Sequence, residues 1–183
     1  MTLVILDRDG VINQDSDHFI KSPDEWIPLA GSLEAIHDLN SHGFTVAVAT
    51  NQSGISRGLF TEKVLHSMHD KMEMLLKEVG AHVDSIHFCP HGPQDNCLCR
   101  KPHPGLYIQI AEKFATDLKK AFVIGDSFRD LQAAIEVGAQ PLLVETGKGK
   151  RTIQNYTDEL SLHNVLQFTD LAKASQYLIH NNS

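Results

Sequence analysis

The sequence predicts an α/β fold: a parallel sheet with helices on both faces. Short apolar runs recur along the chain, amphipathic segments separate them, and polar motifs stand directly after the runs. Thr2–Leu6, Thr45–Ala49, Ser85–Phe88, Ala121–Ile124 and Pro141–Val144 read as strands, nearly continuous in apolar character as a sheet covered on both sides requires. Between them, Ser32 is placed to cap a helix that carries Leu33, Ile36 and Leu39 and stops at Gly43. Thr61 starts a longer helix, where Val64, Leu65, Met68, Met72, Leu75, Leu76 and Val79 share one core-facing side. Leu106, Tyr107, Ile110, Ala111 and Phe114 form the next such face. Leu171, Ala174 and Leu178 mark a final helix after Thr169.

The 183 residues show no repeat and no linker, so one Rossmann-like domain over 1–183 is expected. Sixteen basic against twenty-three acidic side chains give a net charge of −7, which argues against nucleic acid or an anionic membrane as partner. No apolar stretch is long enough to span a bilayer, and the opening MTLVILDRDG lacks the pattern of a signal peptide. A cytoplasmic, monomeric protein is expected. Only small flaps fit between Gly10 and Pro28 and after Asn51, so a cap domain should be minimal or missing.

The first polar motif is Asp7-Arg8-Asp9-Gly10-Val11, at the end of the first apolar run. Alternation along an extended chain sets Asp7 and Asp9 on the same side, and such a like-charged pair needs a cation, a shared proton or a chemical task to offset its repulsion. Thr50-Asn51 follows the second run, Cys89 the third and Gly125-Asp126 the fourth. In open parallel sheets the ligand crevice lies beyond the carboxyl ends of the strands, where all four motifs should meet. For a phosphate ester arriving there, Asp7 can attack phosphorus, and Asp9 can protonate the departing alkoxide and then take a proton from water. With Asp126 a third carboxylate is available, and hard oxygen ligands of this kind suit Mg²⁺. Lys101 and the Thr50 hydroxyl can steady the transferring oxygens.

All three cysteines fall within Cys89–Cys99, in the order Cys89, His91, Cys97, Cys99. Three thiolates and one imidazole make a closed tetrahedral set for a structural Zn²⁺, and the loop 89–99 they would staple runs straight into Arg100 and Lys101. The other ten histidines are expected to be solvated or hydrogen-bonded rather than ligands. Asp15, Asp17, Asp24 and Glu25 read as a solvated loop with Trp26 packed beneath it.

Taken together, Asp7-Arg8-Asp9-Gly10, Thr50-Asn51, Lys101 and Gly125-Asp126-Ser127-x-x-Asp130 resemble the four ordered motifs of the haloacid dehalogenase superfamily of phosphatases. The resemblance implies Asp7 as nucleophile, Asp9 as acid and base, and Mg²⁺ held by Asp7, the Asp9 backbone carbonyl and Asp126. Asp130 fits either a capping box with Ser127 or support of the site. Ser127 stands where relatives often carry lysine, which bears on the choice of sugar.

Within the superfamily, the cysteine loop running into Cys99-Arg100-Lys101-Pro102 resembles two groups, which act on a heptose bisphosphate and on histidinol phosphate. The run Thr50-Asn51-Gln52-Ser53-Gly54-Ile55-Ser56-Arg57-Gly58 favours the heptose group. That resemblance implies removal of the C7 phosphate from a phosphorylated sugar substrate. Asn51, Ser53, Arg57 and Arg100 are candidate substrate contacts, and Lys148 reads equally as a further phosphate contact or as a solvated loop lysine. Arg57 and Arg100 can grip a second phosphate bidentately, whereas histidinol phosphate has only one. A non-catalytic phospho-accepting receiver also uses carboxylates, a threonine and a lysine, but needs no leaving-group acid such as Asp9.

Overall fold

The computed structural model describes residues 2–182. Six strands, β1 (Thr2–Leu6), β2 (Phe44–Asn51), β3 (Ser85–Cys89), β4 (Phe122–Gly125), β5 (Gln140–Val144) and β6 (Leu166–Phe168), form one sheet in the order β3-β2-β1-β4-β5-β6. Every adjacent pair is parallel, with Ile5 opposite Ala47 on one side and Val123 on the other. The strand order reverses at β1, so the crevice of the fold opens at the carboxyl ends of β1, β2 and β4.

Among the described residues seven α-helices cover the sheet: α1 (Ser32–Ser41), α2 (Glu62–Glu78), α3 (Gly105–Phe114), α4 (Phe128–Glu136), α5 (Gly149–Asn155), α6 (Thr157–Leu162) and α7 (Leu171–Asn181). Alternation along β1 builds two cores at once. Val4 and Leu6 join Ile36, Leu39, Met68, Met72 and Leu178 of α1, α2 and α7, while Leu3 and Ile5 join Leu106, Tyr107, Ile110, Ala133 and Ala134 of α3 and α4. The apolar stripe of α2 is therefore core. A third, smaller cluster of Leu131, Leu143, Leu160 and Val165 anchors α6.

Thr61 caps α2 as expected, accepting a hydrogen bond from the Val64 N–H at 3.3 Å. Two other helix starts differ from expectation. Gly31, in the left-handed region at φ 76°, is the N-cap of α1, because the Ser32 hydroxyl donates to the Ile12 carbonyl instead, at 2.6 Å. For α7 the cap is Asp170, one residue beyond Thr169, accepting from the Lys173 N–H. Strand β6 and helices α5 and α6 have no counterpart in the sequence reading; a three-residue edge strand and two helices of six or seven residues are too short to display a period.

No cap domain interrupts this plan. The excursion between β1 and α1 is held by two isolated bridges, Asp9 with Asn13 and Asn13 with Pro28, and Trp26 is buried beneath it. Lys71 of α2 fastens the same excursion, its ammonium donating to the carbonyls of Pro23 and Trp26 at 2.6 and 2.8 Å. No described helix is long and apolar enough to cross a membrane.

Candidate active site

Each polar motif lands where its strand ends; Asp7, Asp9, Thr50, Asn51 and Asp126 line a cavity of about 290 Å³, whereas Cys89, expected to meet them, stands outside its lining. Asp7 follows β1, its backbone N–H donating to the Ile124 carbonyl of β4 at 3.0 Å. The Lys101 ammonium reaches Asp7 Oδ1 at 2.9 Å, Asp130 Oδ1 at 2.6 Å and the Ala49 carbonyl at 2.7 Å. Its position is set from β2: the Asn51 amide accepts from the Lys101 N–H at 3.1 Å and donates to the Lys101 carbonyl at 3.0 Å. Gly10 has φ 87°, and a Cβ there would run into the Asp126 carboxylate, as would one on Gly147 at φ 56°. Two glycines thus let that carboxylate approach the backbone after β1.

Asp9 faces different company. The buried Arg8 guanidinium forks onto its carboxylate at 2.9 to 3.2 Å, and the amides of Asn13 and Gln52 donate to it at 2.8 and 3.0 Å. Gln52 also donates to the buried Thr50 hydroxyl at 2.9 Å. Behind Arg8, Nη1 lies 3.3 Å from Nε2 of the buried His69. Burial and the adjacent Arg8 charge keep that imidazole neutral, its pKa pushed down to about 3.

The carboxylates differ accordingly. Burial and the neighbouring Asp130 push the Asp7 carboxyl up to about 7 against the pull of Lys101. Burial, with Asp7 and Asp130, also raises Asp126 well above the ordinary carboxylate range, opposed by the Lys148 N–H at 2.7 Å. Burial works against the Asp9 anion too, but Arg8, Asn13 and Gln52 outweigh it and hold that pKa low. One carboxylate oxygen from each of Asp7, Asp126 and Asp130 lies within 4.8 Å of the others, with Lys101 the only ammonium among them. A concentration of hard oxygen donors that repel one another is the donor set a divalent cation such as Mg²⁺ fits. Asp9 contributes no side-chain oxygen to that group.

The second donor set is the cysteine loop. Ligand atoms of Cys89, His91, Cys97 and Cys99 gather within 4.8 Å, with Cys89 Sγ 3.5 Å from His91 Nδ1, 3.6 Å from Cys97 Sγ and 3.1 Å from Cys99 Sγ. Burial opposes the Cys97 thiolate, yet the Arg100 N–H and the neighbouring thiols bring its pKa down to about 7. Three sulfurs and one nitrogen so close, without a disulfide, fit the closed coordination of Zn²⁺. Arg100, next along the chain, donates from Nη1 to the His91 carbonyl at 3.2 Å, which ties its guanidinium to the loop.

Comparison with known proteins agrees with this geometry. Residues 98–172 match a family model described as "HAD-hyrolase-like". A D-glycero-beta-D-manno-heptose-1,7-bisphosphate 7-phosphatase of Neisseria meningitidis is 50% identical over 183 residues, covering 100% of this chain and 97% of that relative. The chain belongs to this phosphatase family of the haloacid dehalogenase superfamily. A family member from Bordetella bronchiseptica is 56% identical over 153 residues, 84% of this chain and 86% of its own. The crystal structure of D,D-heptose 1,7-bisphosphate phosphatase from B. bronchiseptica, complexed with magnesium and phosphate, superposes with a TM-score of 0.94 at 50% identity and covers 99% of both chains.

Of the residues singled out in the sequence, Asp7, Asp9, Thr50, Asn51, Ser53, Arg57, Arg100, Lys101, Asp126 and Lys148 all line the cavity. Asp130 both receives Lys101 and accepts hydrogen bonds from the backbone N–H and hydroxyl of Ser127, at 3.1 and 2.8 Å. The Lys148 ammonium pairs with Asp15 at 3.0 Å, so Asp15 is a half-buried wall residue and not a solvated one. Asp24 and Glu25 are exposed as expected. Arg8, Asn13, Gln52 and His69 escaped the sequence reading. Arg8 sits inside the first motif and carried a signal, a cation between two carboxylates; His69, sixty-one positions away, carried none.

Proposed function

We propose that this chain is a Mg²⁺-dependent phosphatase that removes the C7 phosphate of D-glycero-D-manno-heptose 1,7-bisphosphate through an aspartyl-phosphate intermediate. The observation that carries the reading is the Asp7–Lys101–Asp130 group beside Asp126, in a chain 50% identical over its full length to a relative of that name. An Asp7 oxygen forms a bond to phosphorus as the bond from phosphorus to the C7 oxygen breaks, and Asp9 gives its proton to the departing alkoxide. Water then attacks the same phosphorus while Asp9 takes its proton. The Asp7–phosphorus bond breaks, inorganic phosphate leaves, and heptose 1-phosphate remains. Lys101 keeps a positive charge against Asp7 throughout, and Thr50, Asn51 and Ser53 line the wall where the phosphoryl oxygens move.

Asp7, Asp126 and the Asp9 backbone carbonyl would hold Mg²⁺, which when bound neutralises the phosphoryl oxygens and keeps Asp7 ionised. Cys89, His91, Cys97 and Cys99 would hold a structural Zn²⁺ that shapes loop 89–99. Arg57 and Arg100 serve the second phosphate. We further propose a single domain over 1–183 that acts as a monomer in the cytoplasm, where three free thiols stay reduced. Turnover of heptose 1,7-bisphosphate should exceed that of histidinol phosphate and fructose 1,6-bisphosphate when phosphate release is followed with Mg²⁺ present. A preference for either competitor overturns the substrate.

A further inference from the structure

Five cations line the cavity: Arg57, Arg100, Lys101, Arg129 and Lys148. Two are already matched, Lys101 by Asp7 and Asp130 and Lys148 by Asp15. Of the other acids, Asp9 is taken by Arg8 and Asp17 by Arg151 at 3.1 Å, while Asp126 accepts the Lys148 N–H at 2.7 Å. Among the described residues, no carboxylate pairs with Arg57, Arg100 or Arg129. Arg57 has at least a ring to lie over, Phe19 at 5.6 Å, and Arg100 has the His91 carbonyl. The exposed Arg129 guanidinium, in the first turn of α4, has neither.

Arg100 and Arg129 also line a second cavity of about 280 Å³, together with Pro93, Cys97 and His103, where the main cavity meets the cysteine loop. Arg57, Arg100 and Arg129 thus converge on the main cavity, two of them on the second as well, with no carboxylate paired to any of the three. A bound dianion would offset the repulsion among them. The phosphate that reacts is received at Asp7 and Lys101, and the second phosphate of a bisphosphate needs cations that are still uncommitted. In the wall formed by Asp126, Ser127, Arg129 and Asp130, Arg129 is the cation, since the Ser127 hydroxyl is engaged by Asp130.

We propose that Arg129 is a substrate-binding residue that, with Arg100, grips the phosphate that is not hydrolysed, at the junction of the two cavities. This rests on the bisphosphatase reading above. It adds a specificity residue on α4, at a position the fourth motif leaves open and outside the cysteine loop. Each guanidinium presents five N–H donors in a planar fork, and the pair can enclose a phosphate from two sides.

The test compares kcat/KM for heptose 1,7-bisphosphate with that for heptose 7-phosphate, in the wild type and in Arg129→Ala, Arg129→Lys and Arg129→Glu. The preference for the bisphosphate should fall roughly 10- to 100-fold in Arg129→Ala, chiefly through KM, further in Arg129→Glu and less in Arg129→Lys. Inhibition by the product, heptose 1-phosphate, should weaken in the same order, a change that a merely structural role would not produce. A preference unchanged within about twofold in both Arg129→Ala and Arg129→Glu overturns the role of Arg129 and leaves the phosphatase reading standing. Failure of the wild type to release phosphate from the bisphosphate overturns both.

Discussion

Burial and Asp130 press Asp7 toward its protonated form, whereas Arg8, Asn13 and Gln52 hold Asp9 ionised. The chemistry needs the reverse, an anionic nucleophile and a protonated acid. A divalent cation held by Asp7, Asp126 and the Asp9 backbone carbonyl would favour the Asp7 anion, and an arriving phosphate dianion would raise the Asp9 pKa by like-charge repulsion. The free site is thus poised so that its ligands invert the two protonation states. Asp7→Asn removes the proposed nucleophile while keeping the shape, and phosphate release should fall by at least about 10⁴-fold. Asp9→Asn keeps the attack on phosphorus possible but supplies no proton, so rapid-quench measurement should find turnover reduced by roughly 10² to 10⁴-fold. Near wild-type turnover in Asp7→Asn rules out the nucleophile.

At the scale of elements, the loop between β3 and α3 has little apolar anchorage; Leu98 is 79% exposed and Asp95 and Asn96 are exposed. What shapes it is the Cys89–His91–Cys97–Cys99 cluster, and Arg100 and Lys101 follow directly. Purified reduced protein should contain about one equivalent of zinc by elemental analysis, and chelation should lower its melting temperature and raise KM more than it lowers kcat. Protein free of zinc, with full activity, would remove the metal from this loop. Helix α4 works differently. Its first turn carries Asp130, which receives Lys101, and Arg129, which faces the cavity, so one short helix supports the reacting group and offers a cation to the substrate.

Across the whole molecule, His69 couples the site to global stability. Burial and Arg8 depress its pKa from an ordinary 6.5 to about 3, so the folded state excludes a proton that the unfolded chain binds below pH 6.5. Stability from this group is complete above pH 6.5 and lost as pH falls from there toward 3, by up to about 1.4 kcal/mol per unit. Urea unfolding between pH 7 and pH 4 should show a slope shallower by about one proton in His69→Gln, which keeps an acceptor for Arg8 but does not titrate. Equal slopes in the two proteins would place the acid sensitivity elsewhere.

Much of the site was legible in the sequence because its chemistry is local. Asp7, Asp9, Thr50, Asn51 and Asp126 each stand within three residues of a strand end, and the alternation of β1 orders the two cores without reference to any distant contact. The cysteine cluster is compact in the chain for the same reason, with every ligand inside eleven positions. What the tertiary structure alone decided is which charge meets which. Lys101 lies ninety-four positions from Asp7, Lys148 meets Asp15 across the cavity wall, and Arg129 became notable only once Lys101 and Lys148 had been matched to carboxylates. Periodicity and motif spacing act over a few residues, whereas the pairing of charges depends on distances between strand ends that only the folded sheet sets.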